Sequence, residues 1–141
     1  MVNYRLKDVG ECDVEIEWLG KKPKMTMENL YSLYNGMDFE SSSRTTKQCK
    51  QFFEDFKKAL KNDLGTNYNV EMNLGHFYVS GFVSKNDEYV YFNVEDLRDY
   101  GNGFDRVLYR TAKNNKDYTG GFNRFCNFYD LANKIKSILE K

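Results

Sequence analysis

The sequence predicts an α+β domain, an antiparallel sheet packed with helices in the order ββααββββα. Three observations lead there. Apolar and polar residues alternate with a period of two through 2–18 and again through 68–74. Two segments, about 44–63 and 125–140, repeat apolar residues every three or four positions, as one face of a helix does. Strands and helices do not alternate as a parallel sheet requires.

Each element follows from its residues. Val2, Tyr4 and Leu6, then Cys12, Val14, Ile16 and Trp18, define the two strands of a hairpin closed near Gly10. Thr26 is placed to cap a short helix over 27–35 that ends at Gly36. The longer helix carries Cys49, Phe52, Phe53, Phe56, Ala59, Leu60 and Leu64 on its core side and lysines on the other, and stops at Gly65. Strands follow in NYNVEMNL, HFYVSGFV and YVYFNV, the last two joined through SKNDE, and a further strand in RVLYRTA. A final helix over 125–140 would bury Phe128, Leu131, Ala132, Ile135, Ile138 and Leu139.

Composition bounds the function. At 141 residues the chain fits one domain, 1–141, with enough apolar side chains for a core. Lys plus Arg and Asp plus Glu both number 21, so any charged surface must come from segregation rather than from net charge. Cys12, Cys49 and Cys126 are odd in number and scattered, which fits free thiols in a reducing cytoplasm and implies neither zinc nor another cofactor. The N-terminal stretch has no signal-like apolar core and no run is long enough to span a bilayer, so a cytoplasmic protein is expected.

Two features carry candidate binding chemistry. Glu11, Asp13, Glu15 and Glu17 form an acidic ladder on one strand, with carboxylates roughly 6.6 Å apart, comparable with phosphates along a nucleic-acid strand. Such a row can imitate DNA toward a DNA-binding protein. The same row can serve as cross-strand pairing, with Lys7 opposite Asp13 and Arg5 opposite Glu15 if the hairpin closes on three residues. The second feature is RTAKNNKDYTGGFNR, where Arg110, Lys113, Lys116 and Arg124 surround Tyr118, Gly120 and Gly121, with Arg106 just upstream. Ahead of a helix, such a turn is built to hold an anion or a nucleotide phosphate, although its glycines lack the spacing of a phosphate-binding loop. It reads equally as a solvated Asn- and Lys-rich loop.

Catalytic candidates are weaker. The one histidine, His76, sits on a predicted strand, and Cys12 and Cys49 fall on predicted core faces. The carboxylates Glu95, Asp96, Asp99 and Asp105 have Arg98 and Arg106 interleaved and no calcium-loop spacing, so surface ion pairs are expected and no metal site. The aromatics of 76–92 read as core rather than as a base-stacking platform, with Tyr78, Tyr89 and Tyr91 the ones placed to reach solvent. The chain reads as a non-enzyme.

The segment GHFYVSGFVSKNDEYVYFNVEDLR through VLYRTAKNNKDYTGGFN, about 75–123, resembles small proteins carried by phages, plasmids and other mobile elements of gut bacteria. In these a sheet leads to SxSDVR, a loop and IRTAKxxKDYTGG, and this chain departs from the pattern with NVEDLR at the strand end. The resemblance implies no reaction. By size and setting it implies an anti-defence role of the anti-CRISPR kind: binding and blocking a host CRISPR effector such as Cas9 with its guide RNA, in the host cytoplasm and away from membranes. A small module that sequesters a nucleotide is the alternative.

Overall fold

The computed structural model describes residues 4–10, 13–34, 47–75, 78–94 and 106–140. Its elements are β1 (Tyr4–Gly10), β2 (Asp13–Trp18), α1 (Met27–Tyr34), α2 (Lys47–Leu64), β3 (Asn69–Leu74), β4 (Val79–Lys85), β5 (Glu88–Val94), β6 (Arg106–Ala112), β7 (Arg124–Asn127), a 3-10 turn (Phe128–Asp130) and α3 (Leu131–Leu139). The α+β architecture is the one expected. β3 to β7 form a five-stranded antiparallel meander in chain order, and β1 and β2 form a separate two-stranded sheet.

The helices cover one face of the meander. On that face Val79, Val83, Val90, Phe92, Val94 and Val107 join a single apolar cluster with Phe52, Phe56, Leu60, Leu131 and Ile135. Phe56 is its hub. Its ring stacks on Phe92 at 5.7 Å and meets Phe128 edge-on at 5.0 Å, the offset and T-shaped geometries aromatic pairs prefer. The hairpin joins the same cluster through Ile16, and Tyr4 Oη donates to the Leu33 carbonyl at 3.2 Å. Thr26 caps α1 as expected, its Oγ1 accepting from the Asn29 amide at 3.1 Å. Asn86 and Asp87 take left-handed backbone angles (φ 53° and 64°), the conformation a two-residue hairpin turn between β4 and β5 needs.

Three expectations change. Residues 125–140 are not one helix: helical spacing begins only at Phe128, and the residues before it pair with β6, Leu108 opposite Phe125 and Tyr109 opposite Arg124. The order is therefore ββααβββββα. The hairpin register differs as well. β1 continues to Gly10, opposite Asp13, with an irregularity after Asp8, which puts Arg5 opposite Glu17 and Lys7 opposite Glu15. That register brings Tyr4 opposite Trp18 in an edge-on contact at 6.1 Å. On α2, Phe53 is only half-buried while Asp55 is buried, its carboxylate accepting from Tyr34 Oη at 2.9 Å.

Candidate functional site

The uncovered face of the meander carries a second, smaller packing layer. Residues flanking the core positions point to it: Phe82 on β4, Tyr91 on β5 and Arg110 on β6, with Phe82 opposite Tyr91 and Tyr91 opposite Arg110 in register. All three are buried. What buries them is the chain that leaves β6. Tyr118 packs edge-on against Phe82 at 5.2 Å and Tyr91 at 5.9 Å, and Asn115 Nδ2 donates to Glu71 Oε2 on β3 at 3.0 Å. The loop 113–123 thus crosses the sheet from β6 to β3.

Arg110 locks the loop in place. Only 2% exposed, its guanidinium lies 4.6 Å from the centre of the Tyr91 ring. Its Nη2 donates to the Asp117 carbonyl at 2.7 Å and its Nη1 to the Thr111 carbonyl at 3.2 Å. The Asp117 carboxylate completes the arrangement. It accepts from the amides of Lys113 at 3.0 Å and Gly120 at 2.9 Å and sits 3.9 Å from Arg110 Nη1. Those amides, Lys113 first and then Gly120, with Arg110 adding its charge, hold the Asp117 carboxyl below the usual carboxylate range. Asn114 shapes the turn by accepting from the Lys116 amide at 2.8 Å.

The glycine pair has a steric reason. A Cβ on Gly120 would stand 2.8 Å from an Asp117 carboxylate oxygen. One on Gly121, at φ 82°, would stand 2.7 Å from the Thr111 carbonyl. The amides and arginine of the turn do hold an anion, but it is the chain's own Asp117 and not a bound ligand.

The remaining candidates separate. Gly120 and Gly121 precede a strand, β7, and not the N-terminus of a helix. Arg124 pairs with Tyr109, whose side chain joins the core on the helix side, whereas Arg110 points to the opposite face. Neighbouring positions on a strand face opposite ways, so Arg110 and Arg124 do not converge on one anion. Lys113, Lys116 and Tyr118 stay exposed on the loop. In the acidic ladder Glu17 is ion-paired and hydrogen-bonded to Arg5, which lowers its pKa. Glu11 lies outside the described residues, as do the side chains of Asp13 and Glu15, although Glu15 has Lys7 as its cross-strand partner. His76, Cys12, Arg98 and the carboxylates of Glu95, Asp96, Asp99 and Asp105 also lie outside them.

Cys126 is a free thiol, and burial, with Asp130 nearby, pushes it up to about 11. At neutral pH it is protonated, a poor nucleophile. No group of three or more His, Cys, Asp and Glu side chains placed for a metal ion occurs among the described residues. No described helix is long and apolar enough to cross a membrane.

Of the aromatic residues on this surface, the sequence reading names Tyr118 but misses Phe122 and Phe125. Phe122 is 78% exposed, Tyr118 57% and Phe125 46%, and the Arg106 guanidinium lies 4.2 Å from the Phe125 ring centre. Helical spacing places Phe125 on the final helix, and only the β6–β7 pairing turns it to the outer face. Between Arg106 and Phe125 there are five basic residues and one acid, Asp117, which the loop itself consumes. Among the described residues no ion pair engages Arg106, Lys113, Lys116 or Arg124. A cleft of ≈ 420 Å³ lies elsewhere, between α1 and the start of α3, lined by Glu28, Tyr31, Ser32, Tyr129, Asp130 and Asn133. In comparisons with protein-family models, curated proteins and solved structures, the chain matches none.

Proposed function

We propose that this chain is a binding protein that blocks a host nuclease complex by occupying it, with guide-loaded Cas9 as the candidate target. One observation carries this reading. Exposed Tyr118 and Phe122 and the cations Lys113 and Lys116, which no described ion pair engages, sit on a loop that a buried arginine and an internal carboxylate fix in advance, with exposed Phe125 and Arg106 on the adjoining strands. Large exposed apolar side chains on a monomer mark interaction surfaces, and Tyr, Phe and Arg are enriched at interface centres. Fixing the loop before binding removes an ordering cost that a mobile loop would meet on association. The surface also falls in the stretch, about 75–123, that resembles mobile-element proteins, with Phe125 just beyond it.

The test is a titration of the protein into a cleavage reaction of guide-loaded Cas9. Cleavage is expected to stop near one equivalent. Lys113→Glu with Lys116→Glu and Phe122→Ala should restore cleavage while melting like the parent. A variant that still blocks at one equivalent would remove this surface from the mechanism. Lack of capture of, and lack of effect on, host nuclease complexes would overturn the reading itself.

A further inference from the structure

The same surface has a more specific chemistry. We propose that it binds single-stranded nucleic acid, its aromatic rings stacking on unpaired bases and Arg106, Lys113 and Lys116 meeting the phosphates. This rests on the binding reading above and names the part of the complex that is touched: an unpaired stretch of its RNA or DNA.

Three features favour a single strand over other partners. Stacking needs rings open to solvent, and Phe122, Tyr118 and Phe125 are the most exposed aromatics among the described residues. A base in a duplex has both faces covered by its neighbours, and among the described residues no helix stands at this surface to enter a major groove. The cations on the loop are lysines, which are depleted at protein–protein interfaces but suit phosphate as compact point charges. Charge is segregated to match. The whole chain is neutral, yet 106–125 carries five basic residues against one acid already held inside the loop.

The layout also says which cation stays out. Arg124 shares its face with Tyr109, on the helix side of the sheet, whereas Arg106 and Phe125 share the outer face with Arg110. Arg110 is itself enclosed and engaged with its own loop, so it positions rather than contacts.

Fluorescence anisotropy with labelled 12-nucleotide U-rich RNA, the equivalent DNA strand and a 12-base-pair duplex tests this. Three phosphate contacts predict a log–log salt slope of about −2, hence roughly 20-fold weaker binding at 200 mM than at 50 mM salt. Phe122→Ala should weaken binding by roughly 5- to 150-fold, the loss expected for one stacked base. That residue's exposure means its removal leaves the fold unchanged. Arg124→Ala should bind like the parent. Equal or tighter binding of the duplex, indifference to Phe122→Ala, or lack of binding to either single strand would each overturn the proposal. Capture of the nuclease complex with and without its guide RNA separates the two readings. Capture of the RNA-free protein, together with lack of oligonucleotide binding, would leave the blocking reading standing and replace the nucleic acid with a protein surface. Failure of both captures while the single strands still bind would remove the blocking reading and leave the nucleic-acid proposal standing.

Discussion

Removing the Arg110 side chain should unlock the loop and cost more than any surface change on it. In Arg110→Ala the loop loses two donors to backbone carbonyls, at 2.7 and 3.2 Å, and a cation seated 4.6 Å from the Tyr91 ring centre. A hydrogen bond to a charged group contributes about 1.5–3 kcal/mol, and a desolvated cation–π contact about 2. These contributions overlap because one guanidinium makes them all, and water can reach the loop carbonyls once the side chain is gone. A loss of roughly 2–4 kcal/mol is therefore expected. For a chain of this length that lowers Tm by about 7–14 °C. Arg110→Lys keeps the charge without the planar fork and should recover less than half of the loss. Limited trypsin digestion supplies the local readout, since cleavage after Lys113 and Lys116 should accelerate before the rest of the chain is cut. Acid should act in the same direction. The Asp117 pKa is lowered in the folded state, so its contribution is present above the unfolded value of about 3.9 and is lost as the pH falls through the folded one. If Arg110→Ala melts within about 1 °C of the parent and its loop resists trypsin equally, the lock is not what holds this surface.

Phe56→Ala should cost about 3–5 kcal/mol, because it deletes the ring that Phe92, Phe128 and Phe52 all touch and leaves a cavity behind; an unchanged denaturation midpoint would refute its place at the hub. Asp55→Asn should raise Tm at pH 7 and leave it nearly unchanged near pH 3. Burial, the largest influence on Asp55, raises its carboxyl pKa, so the favourable contribution of the neutral form is present below the unfolded value and disappears as the pH rises through the folded one. Thermal melts across that range check this, and a drop in Tm at pH 7 would mean that the ionised form stabilises the fold.

Much of the fold was legible because burial on one face writes a period into the sequence. The stripe Phe52, Phe56, Ala59, Leu60 and Leu64 marks α2, and Asn-Asp between two aromatic strands marks the β4–β5 turn. The failures fall where that period is short or where both faces are covered. β7 is four residues long, too short to show alternation, and it runs into a helix whose apolar spacing absorbs Phe125 and Cys126. β4 is buried on both faces, so Phe82 looked like core when it belongs to the layer under the loop. Asp55 gave no sign at all, since its partner Tyr34 sits on another helix.

The candidate site shows the same limit in chemical form. Composition identified a turn of amides, glycines and arginine suited to an anion, but local sequence does not say whose anion it is. Asp117 is in the turn itself, and a chain that supplies the carboxylate from within gains rigidity where an open cradle would gain affinity. Once Asp117 and Arg110 are spent on each other, the charge left to meet a partner is that of Arg106, Lys113 and Lys116, beside rings the loop holds in the open. The glycines then serve geometry rather than ligand access, since a side chain at either would strike Asp117 or the Thr111 carbonyl. The proposed binding by this face therefore depends on Arg110 without contact to it, and loss of binding in Arg110→Ala should be matched by trypsin sensitivity, whereas loss in Phe122→Ala should not.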